Sequence, residues 1–196
     1  MATTPNSNTN VDVGRPKVGG YAFRAPIGTT LPTDATTALD AAFFNLGYVS
    51  NAGLRVAYDR TTTDHREWNG EIVETTQDEY GETYTVEFIE SLRGDLLKAL
   101  FGDENVTIVA PTELAPGTVH IKHNALEPEN AAWSFDMKSR KSSKRITMGV
   151  ARVTAIGEVA FVANDLIRYS ATIKAYPDAN GDTSNEYKTL PKLLAV

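Results

Sequence analysis

The run from Ser143 to Tyr176 constrains the fold more than any other stretch of this sequence. Ile146, Met148 and Val150 alternate with Arg145, Thr147 and Gly149; further on, Ile167, Tyr169, Ala171 and Ile173 alternate with Arg168, Ser170, Thr172 and Lys174. Side chains on a strand point alternately to its two faces, so this pattern gives each half one apolar and one polar face. Asn164-Asp165 between the halves is a hairpin signal, weaker than Asn-Gly because only glycine takes positive φ without steric cost. The apolar parity is even as far as Ile156 and odd at Val159 and Phe161, with Gly157 at the change. A β-bulge or a strand break would both read this way. The expectation is a long, bent, antiparallel hairpin forming a wall of the domain.

A chain of 196 residues, 41% hydrophobic, supports one core and therefore one domain. No run approaches the roughly 18 apolar residues of a membrane-spanning helix, and the polar start MATTPNSNTN is not a secretory leader. With no cysteine there is no disulfide, thiolate metal site or cysteine nucleophile. The net charge of −6 argues against general nucleic-acid binding, which needs cations to replace phosphate counterions. The charge is also segregated. Residues 64–104 carry twelve acids against three bases, whereas residues 136–152 carry six bases against one acid. Such polarity suits complementary self-association and equally describes two solvated patches.

Residues 1–16 have the composition of a disordered arm, leaving 17–196 as the domain. The proline- and glycine-rich run 15–32 reads as an extended segment, with Thr33 or Asp34 capping a short turn after it. Residues 46–50 read as a short strand and 51–70 as a long polar loop, a kind of segment that is usually functional or disordered. Residues 71–77 and 82–90 read as a second hairpin turning at Asp78–Gly81. Its register puts Val73 with Tyr84, Val86 and Phe88 on a core face, and Glu74, Thr76, Thr83, Thr85 and Glu87 on a polar face. Ser91 to Gly102 is the best helix, with Leu92, Leu96, Leu97 and Leu100 in one stripe, Ser91 as cap and Gly102 as terminator. Short strands follow at 106–110, 118–123, around Trp133–Met137 and near Tyr187. The fold class is thus mainly β, an antiparallel sandwich with one flanking helix at about 91–101.

Motifs for chemistry are missing. There is no nucleophile elbow, zincin motif, P-loop or dinucleotide fingerprint. His120 and His123 fall on opposite faces of a strand, poor geometry for sharing a metal. Asp178–Asp182 spaces oxygens like half a calcium loop but lacks the later glycine and glutamate, so it reads as a turn. Carboxylates on the acidic hairpin lack the burial that shifts a catalytic pKa. The basic run Lys138–Arg145 has no aromatic residue for base stacking. No cofactor or metal is implied.

Two segments resemble a known family. GRPKVGGYAFRAPIGTTLPTDATTALDAAFFNLGYVSNAGL (residues 14–54) looks like the opening of the major tail, or tail tube, proteins of long-tailed non-contractile phages. ITMGVARVTAIGEVAFVANDLIRYSATIKAYPDANGDTSNEY (residues 146–187) is similar to their closing hairpin. The resemblance implies a β-sandwich with one helix that forms hexameric rings, each subunit adding strands to an inner barrel. The rings stack through terminal arms and a long loop. The resulting virion tube, assembled in the host cytoplasm, encloses a tape measure protein, meets tail terminator and distal tail proteins, and passes double-stranded DNA at ejection, without membrane insertion. On that reading Glu74, Thr76, Thr83, Thr85 and Glu87 face the lumen. Arg60, Asp64, Arg66 and Trp68 lie on a ring-stacking loop. Lys138, Arg140, Lys141, Lys144 and Arg145 form an inter-subunit basic patch, while the polar face bearing Arg168 and Lys174 points outward or to a seam. The alternative from another class is a β-sandwich module binding carbohydrate or a cell surface; an enzyme ranks third.

Overall fold

The computed structural model describes residues 6–190, and the first five residues of the expected arm lie outside that range. The chain is antiparallel and mainly β, with strands β1 (Ala22–Pro26), β2 (Phe44–Asn45), β3 (Val49–Arg66), β4 (Ile72–Phe88), β5 (Val106–Val109), β6 (Thr118–Ile121), β7 (Ala131–Lys138), β8 (Ser143–Ile156), β9 (Tyr169–Tyr176) and β10 (Asn185–Lys188). Among the described residues one α-helix, α1 (Gly94–Phe101), flanks them. The main sheet runs β2-β1-β7-β8-β9-β4-β3, with β10 pairing on β8; β5 and β6 form a separate hairpin.

The expected sandwich is one curled sheet facing itself. Tyr84 on β4 and Phe135 on β7 are three strand positions apart, about 14 Å in a flat sheet at roughly 4.8 Å per strand. Their rings nevertheless stack with centroids 6.4 Å apart. Trp133, also on β7, stacks on Phe135 at 6.3 Å and donates its indole N–H to the Ala151 carbonyl. The helix closes one side of this core through Leu96, Leu97, Ala99 and Leu100. Burying each leucine contributes about 1.5–3 kcal/mol. Leu92, expected in the stripe, is 87% exposed. Residues 91–93 form a turn in which the Arg93 N–H donates to the Glu90 carbonyl, and the helix starts after it. Gly102 ends the helix at φ 94, its N–H donating to the Lys98 carbonyl.

The hairpin of residues 143–176 forms, but its strands stop at Ile156 and resume at Tyr169. Gly157 marks the strand end; its N–H still donates to the Ser170 carbonyl. The face changes come earlier. Trp133 pairs with Met148 and Ala131 with Ala151, which leaves an extra residue in β8 near Gly149. A second extra residue, Thr154, falls between the Val153–Ile173 and Ala155–Thr172 pairs. The core face is therefore Ile146 and Met148, then Ala151 and Val153, then Ile156. Two one-residue bulges each flip the parity, and together they restore it.

A larger correction concerns residues 51–90. The expected loop 51–70 is strand β3, and the expected hairpin 71–90 is one continuous strand, β4. The two pair with each other, and the turn lies at residues 67–71. The Asp78–Gly81 signal is a bulge: Thr61 pairs with Glu79 and Thr62 with Gln77, so Asp78 is the extra residue. Val73 is skipped in the same way and is exposed, not in the core.

Candidate functional site

The sequence explains why half of the β3–β4 hairpin stands free. From Glu82 to Phe88, alternate β4 side chains are buried, and that segment pairs with β9. From Ile72 to Tyr80 every β4 residue is exposed, as is β3 from Ala57 to Arg66. Polar and threonine-rich on both faces, this part has no core face to bury, so it projects beyond the body as a two-stranded ribbon. Residues 59–66 alone extend about 26 Å at roughly 3.3 Å per residue.

Pairing across β3 fixes the ribbon's faces. Thr85 and Thr83 face Arg55 and Ala57, while Thr76 and Glu74 face Thr63 and His65. All four of those β3 residues are odd-numbered and lie on one face. The bulge at Asp78 changes the β4 parity between Thr83 and Thr76, so Glu74, Thr76, Thr83, Thr85 and Glu87 do share a single face. The grouping expected from a hairpin turn arises from a bulge instead. His65 Nε2 lies 3.0 Å from Thr76 Oγ1, and Thr63 Oγ1 donates to Asp78 at 2.6 Å, both across that face.

The separation of this face from the one bearing Arg168 and Lys174 does not hold. Lys174 sits opposite Thr83, Thr172 opposite Thr85, and Ser170 opposite Glu87. Arg168 lies 3.8 Å from Glu87 and donates to Asp165 at 2.7 Å. Arg152, opposite Lys174 on β8, pairs with Glu127 at 2.5 Å and lies over the Tyr176 ring. The open face of the sheet is thus a hydroxyl band with cations and carboxylates interspersed, and it becomes acidic along the ribbon.

The ribbon is fastened at its root by Glu82, a buried carboxylate that accepts hydroxyl bonds from Tyr80, from Tyr84 at 2.7 Å and from Ser184 at 2.5 Å. Burial acts to raise this carboxyl, but the bonds from Ser184, Tyr80 and Tyr84 outweigh it and hold it below the ordinary glutamate value. Burial pushes the Tyr84 phenol up well beyond the usual range.

Of the expected stacking-loop residues, Arg60 and Asp64 lie along β3 on the other ribbon face, Arg66 at its end, and Trp68 in the turn. Arg60 caps the Tyr80 ring at 4.9 Å and donates to Gln77 at 3.2 Å; Asp64 accepts from Thr75 at 2.9 Å. Trp68 is fully exposed, and the neighbouring apolar side chains of Ile72 and Val73 are exposed by half or more.

The basic patch is divided by the structure. Lys138, Arg140 and Lys141 are exposed on the β7–β8 tip, and Lys144 is half-buried. Arg145 is 0% exposed and leaves the patch. It grips Asp136 with two bonds of 2.6 and 2.7 Å and donates to the Asp34 and Thr37 carbonyls at 3.1 and 2.7 Å. Those carbonyls belong to residues 27–43, whose turn is capped by Asp34 accepting the Thr37 N–H at 2.7 Å. Arg145 thereby ties the cover segment to the outer face of β7 and β8.

The arm expected to be disordered is placed, over its described part, on the same tip. Lys138 N–H donates to the Arg15 carbonyl at 2.8 Å, Lys141 Nζ to the Asn8 and Val11 carbonyls at 2.7 and 3.2 Å. Asp12 meets Lys144 at 3.4 Å and accepts from the Ser142 hydroxyl. The Ser142 and Ser139 hydroxyls, the Val13 N–H and Lys144 hold the Asp12 carboxyl well below the usual range.

No convergent group of three or more metal-ligating side chains occurs among the described residues, and none of their helices is long and apolar enough to cross a membrane. His123 packs edge-on against Phe101 at 5.1 Å.

No protein-family model matches this sequence, and neither does any curated protein. Among solved structures the chain is similar to the anti-feeding prophage cap (AFP tube terminating cap), seen by cryo-EM, at 11% identity over 96% of this chain and 100% of that chain, with a TM-score of 0.44.

Proposed function

We propose that this chain is a structural, non-enzymatic subunit that acts by assembling with copies of itself. More specifically, it is a tail tube subunit of a long-tailed phage, stacked as hexameric rings around a bore that holds a tape measure protein and later passes DNA. The observation that carries this reading is the free ribbon of β3 and β4. A lone two-stranded hairpin is marginal in water, yet this one is long, bears exposed aromatic and apolar side chains at its tip, and is fastened at its root by a buried carboxylate. A monomeric binding module gains nothing from such an element, whereas an assembling subunit covers it with a neighbour. The free outer edge of β3 also offers backbone donors and acceptors for strand addition.

The open face with Glu74, Thr76, Thr83, Thr85 and Glu87 is the proposed bore lining. Its hydroxyls offer phosphate no charge, Glu87 and Glu127 neutralise Arg168 and Arg152, and the acidic ribbon repels the DNA backbone. Negative-stain microscopy of concentrated protein tests the assembly: hollow tubes of uniform bore are expected, and a monomer at every concentration and salt condition would sink the reading. Glu74→Lys combined with Glu87→Lys is expected to leave assembly intact and slow DNA ejection; unchanged ejection would remove that face from the bore.

A further inference from the structure

Two features at opposite ends of the β3–β4 hairpin have no partner within the described chain. At the tip, the turn is set by Glu67, whose N–H donates to the Glu71 carbonyl at 2.9 Å and whose Oε1 accepts the Asn69 N–H at 2.8 Å. Arg66 closes it by donating to the Gly70 carbonyl at 2.8 Å. The turn therefore holds Trp68 outward, 102% exposed, instead of folding it onto the ribbon. At the root, a cavity of about 510 Å³ opens between residues 16–21 and the start of β3. Val18, Tyr21, Tyr48 and Val49 wall it, with Glu90 and Arg93 paired at 2.5 Å at one side. Val18 and Tyr48 expose 98% and 74% of their surface at its mouth.

The strands between these features are 18 and 17 residues long. At about 3.3 Å per residue they separate tip from cavity by tens of ångströms, so one chain's tip cannot enter its own cavity.

We propose that the Trp68 tip of one copy seats in the root cavity of the next. The cavity has room for an indole ring and offers it aromatic and aliphatic walls, the setting in which a buried tryptophan anchors an interface. The charges also match. The tip carries Glu67 and Glu71 against Arg66, while the cavity is lined by Lys17 and Arg93 against Glu90. Another cleft, beside β1 and α1, is lined by Asp95, Asp103 and Glu129 against Arg24 and Lys98 and would repel an acidic tip; a third, walled by Asp12, Lys141, Lys144 and Lys188, has no aromatic ring to hold an indole. Tip-into-root contact joins two different surfaces, so made in one direction it repeats head to tail, whereas a reciprocal exchange would stop at two copies. The inference rests on the polymerisation reading and names the contact that would carry it along the tube axis.

The natural absence of cysteine makes the test direct. Asn69→Cys with Val18→Cys in one chain places a thiol beside Trp68 and another at the cavity mouth. On oxidation this variant is expected to give a ladder of disulfide-linked multimers. Asn69→Cys with Leu114→Cys, an equally exposed site on the β5–β6 loop, should give only background. Trp68→Ala in the Asn69/Val18 pair should cut cross-linking about tenfold and raise the concentration needed for assembly about tenfold, with Trp68→Phe restoring most of it. The emission of buried Trp133 reports that each variant remains folded. Equal ladders from the two cysteine pairs, or assembly by Trp68→Ala at the parental concentration, would overturn the proposal. If tubes still form in that case, the polymerisation reading stands and only this contact falls. If the unmodified chain does not polymerise and the Asn69/Val18 cysteine pair does not cross-link, both fall.

Discussion

Arg145→Ala is the most informative single change. It removes a fully buried guanidinium that makes four hydrogen bonds, two to Asp136 and one each to the Asp34 and Thr37 carbonyls. Asp136, itself 3% exposed at its side chain, would retain Lys17 at 3.3 Å and Ser134 at 3.4 Å. Breaking one side of such a pair costs about 3–5 kcal/mol, because the remaining charge stays buried. That is a large part of the roughly 5–15 kcal/mol that holds a domain together. At about 2–4 °C per kcal/mol for a chain of this size, Tm should fall by about 6–20 °C. Calorimetry and urea unfolding both measure it. Arg145→Met with Asp136→Leu should recover about 1–3 kcal/mol of the loss, since no buried charge is left unpaired and Lys17, which loses its partner, is half-exposed; the two orphaned carbonyls set the remainder at about 1 kcal/mol each. Lys138→Ala and Arg140→Ala, exposed on the same tip, should stay within about 0.5 kcal/mol of the parent. A loss below about 1 kcal/mol for Arg145→Ala, or a double variant as poor as the sum of its singles, would show that the pair does not fasten the cover segment.

Three further outcomes are expected. The Glu82 carboxyl is held below its ordinary value in the folded chain, so its contribution is full above the unfolded value near 4.5 and is lost as pH falls through the lower folded value. The protection of amides 80–84, taken relative to their intrinsic exchange rates, should therefore fall in acid, and Glu82→Gln should blunt that dependence. Gly47→Ala meets a φ of 91 and drives a methyl into the Glu90 carboxylate. That carboxylate already accepts the Tyr48 N–H at 2.7 Å and pairs with Arg93. A loss of about 1–3 kcal/mol in urea unfolding is expected, and a neutral result would mean the turn relaxes freely. Asp12→Ala should speed protease cleavage within residues 6–16 at neutral pH while leaving Tm unchanged, because the carboxylate fastens only the arm.

Burial-driven features could be read from the sequence; features without a core could not. The alternation in β9 and the leucines of α1 record one face turned to the interior. Strand β3 between Arg55 and Asp64 has two solvated faces, so its threonines and charges carry no period and resemble a loop. Asp78-Glu-Tyr-Gly carries turn chemistry because a bulge and a turn ask for similar residues. The shared face of Glu74 to Glu87 was nonetheless legible, since either device changes parity once. Arg145 was lost in a basic run because its partner, Asp136, is identified only by the register of the facing strand. Trp68 stood out by residue type alone, whereas the root cavity, built from residues 16–21, 45–49 and 90–93, has no local signature.

The bulge at Asp78 has a mechanical meaning as well. The faces of the ribbon are dictated by β3, which runs through this region without interruption, and Asp78 is surplus to every pairing. Removing it would leave Thr61 opposite Glu79 and Thr62 opposite Gln77, with each side chain on the side it now occupies. What would change is the local twist that an extra residue imposes on a strand. The position is thus a spacer that sets the curvature of the projecting arm independently of its chemistry, so bend and lining can vary separately.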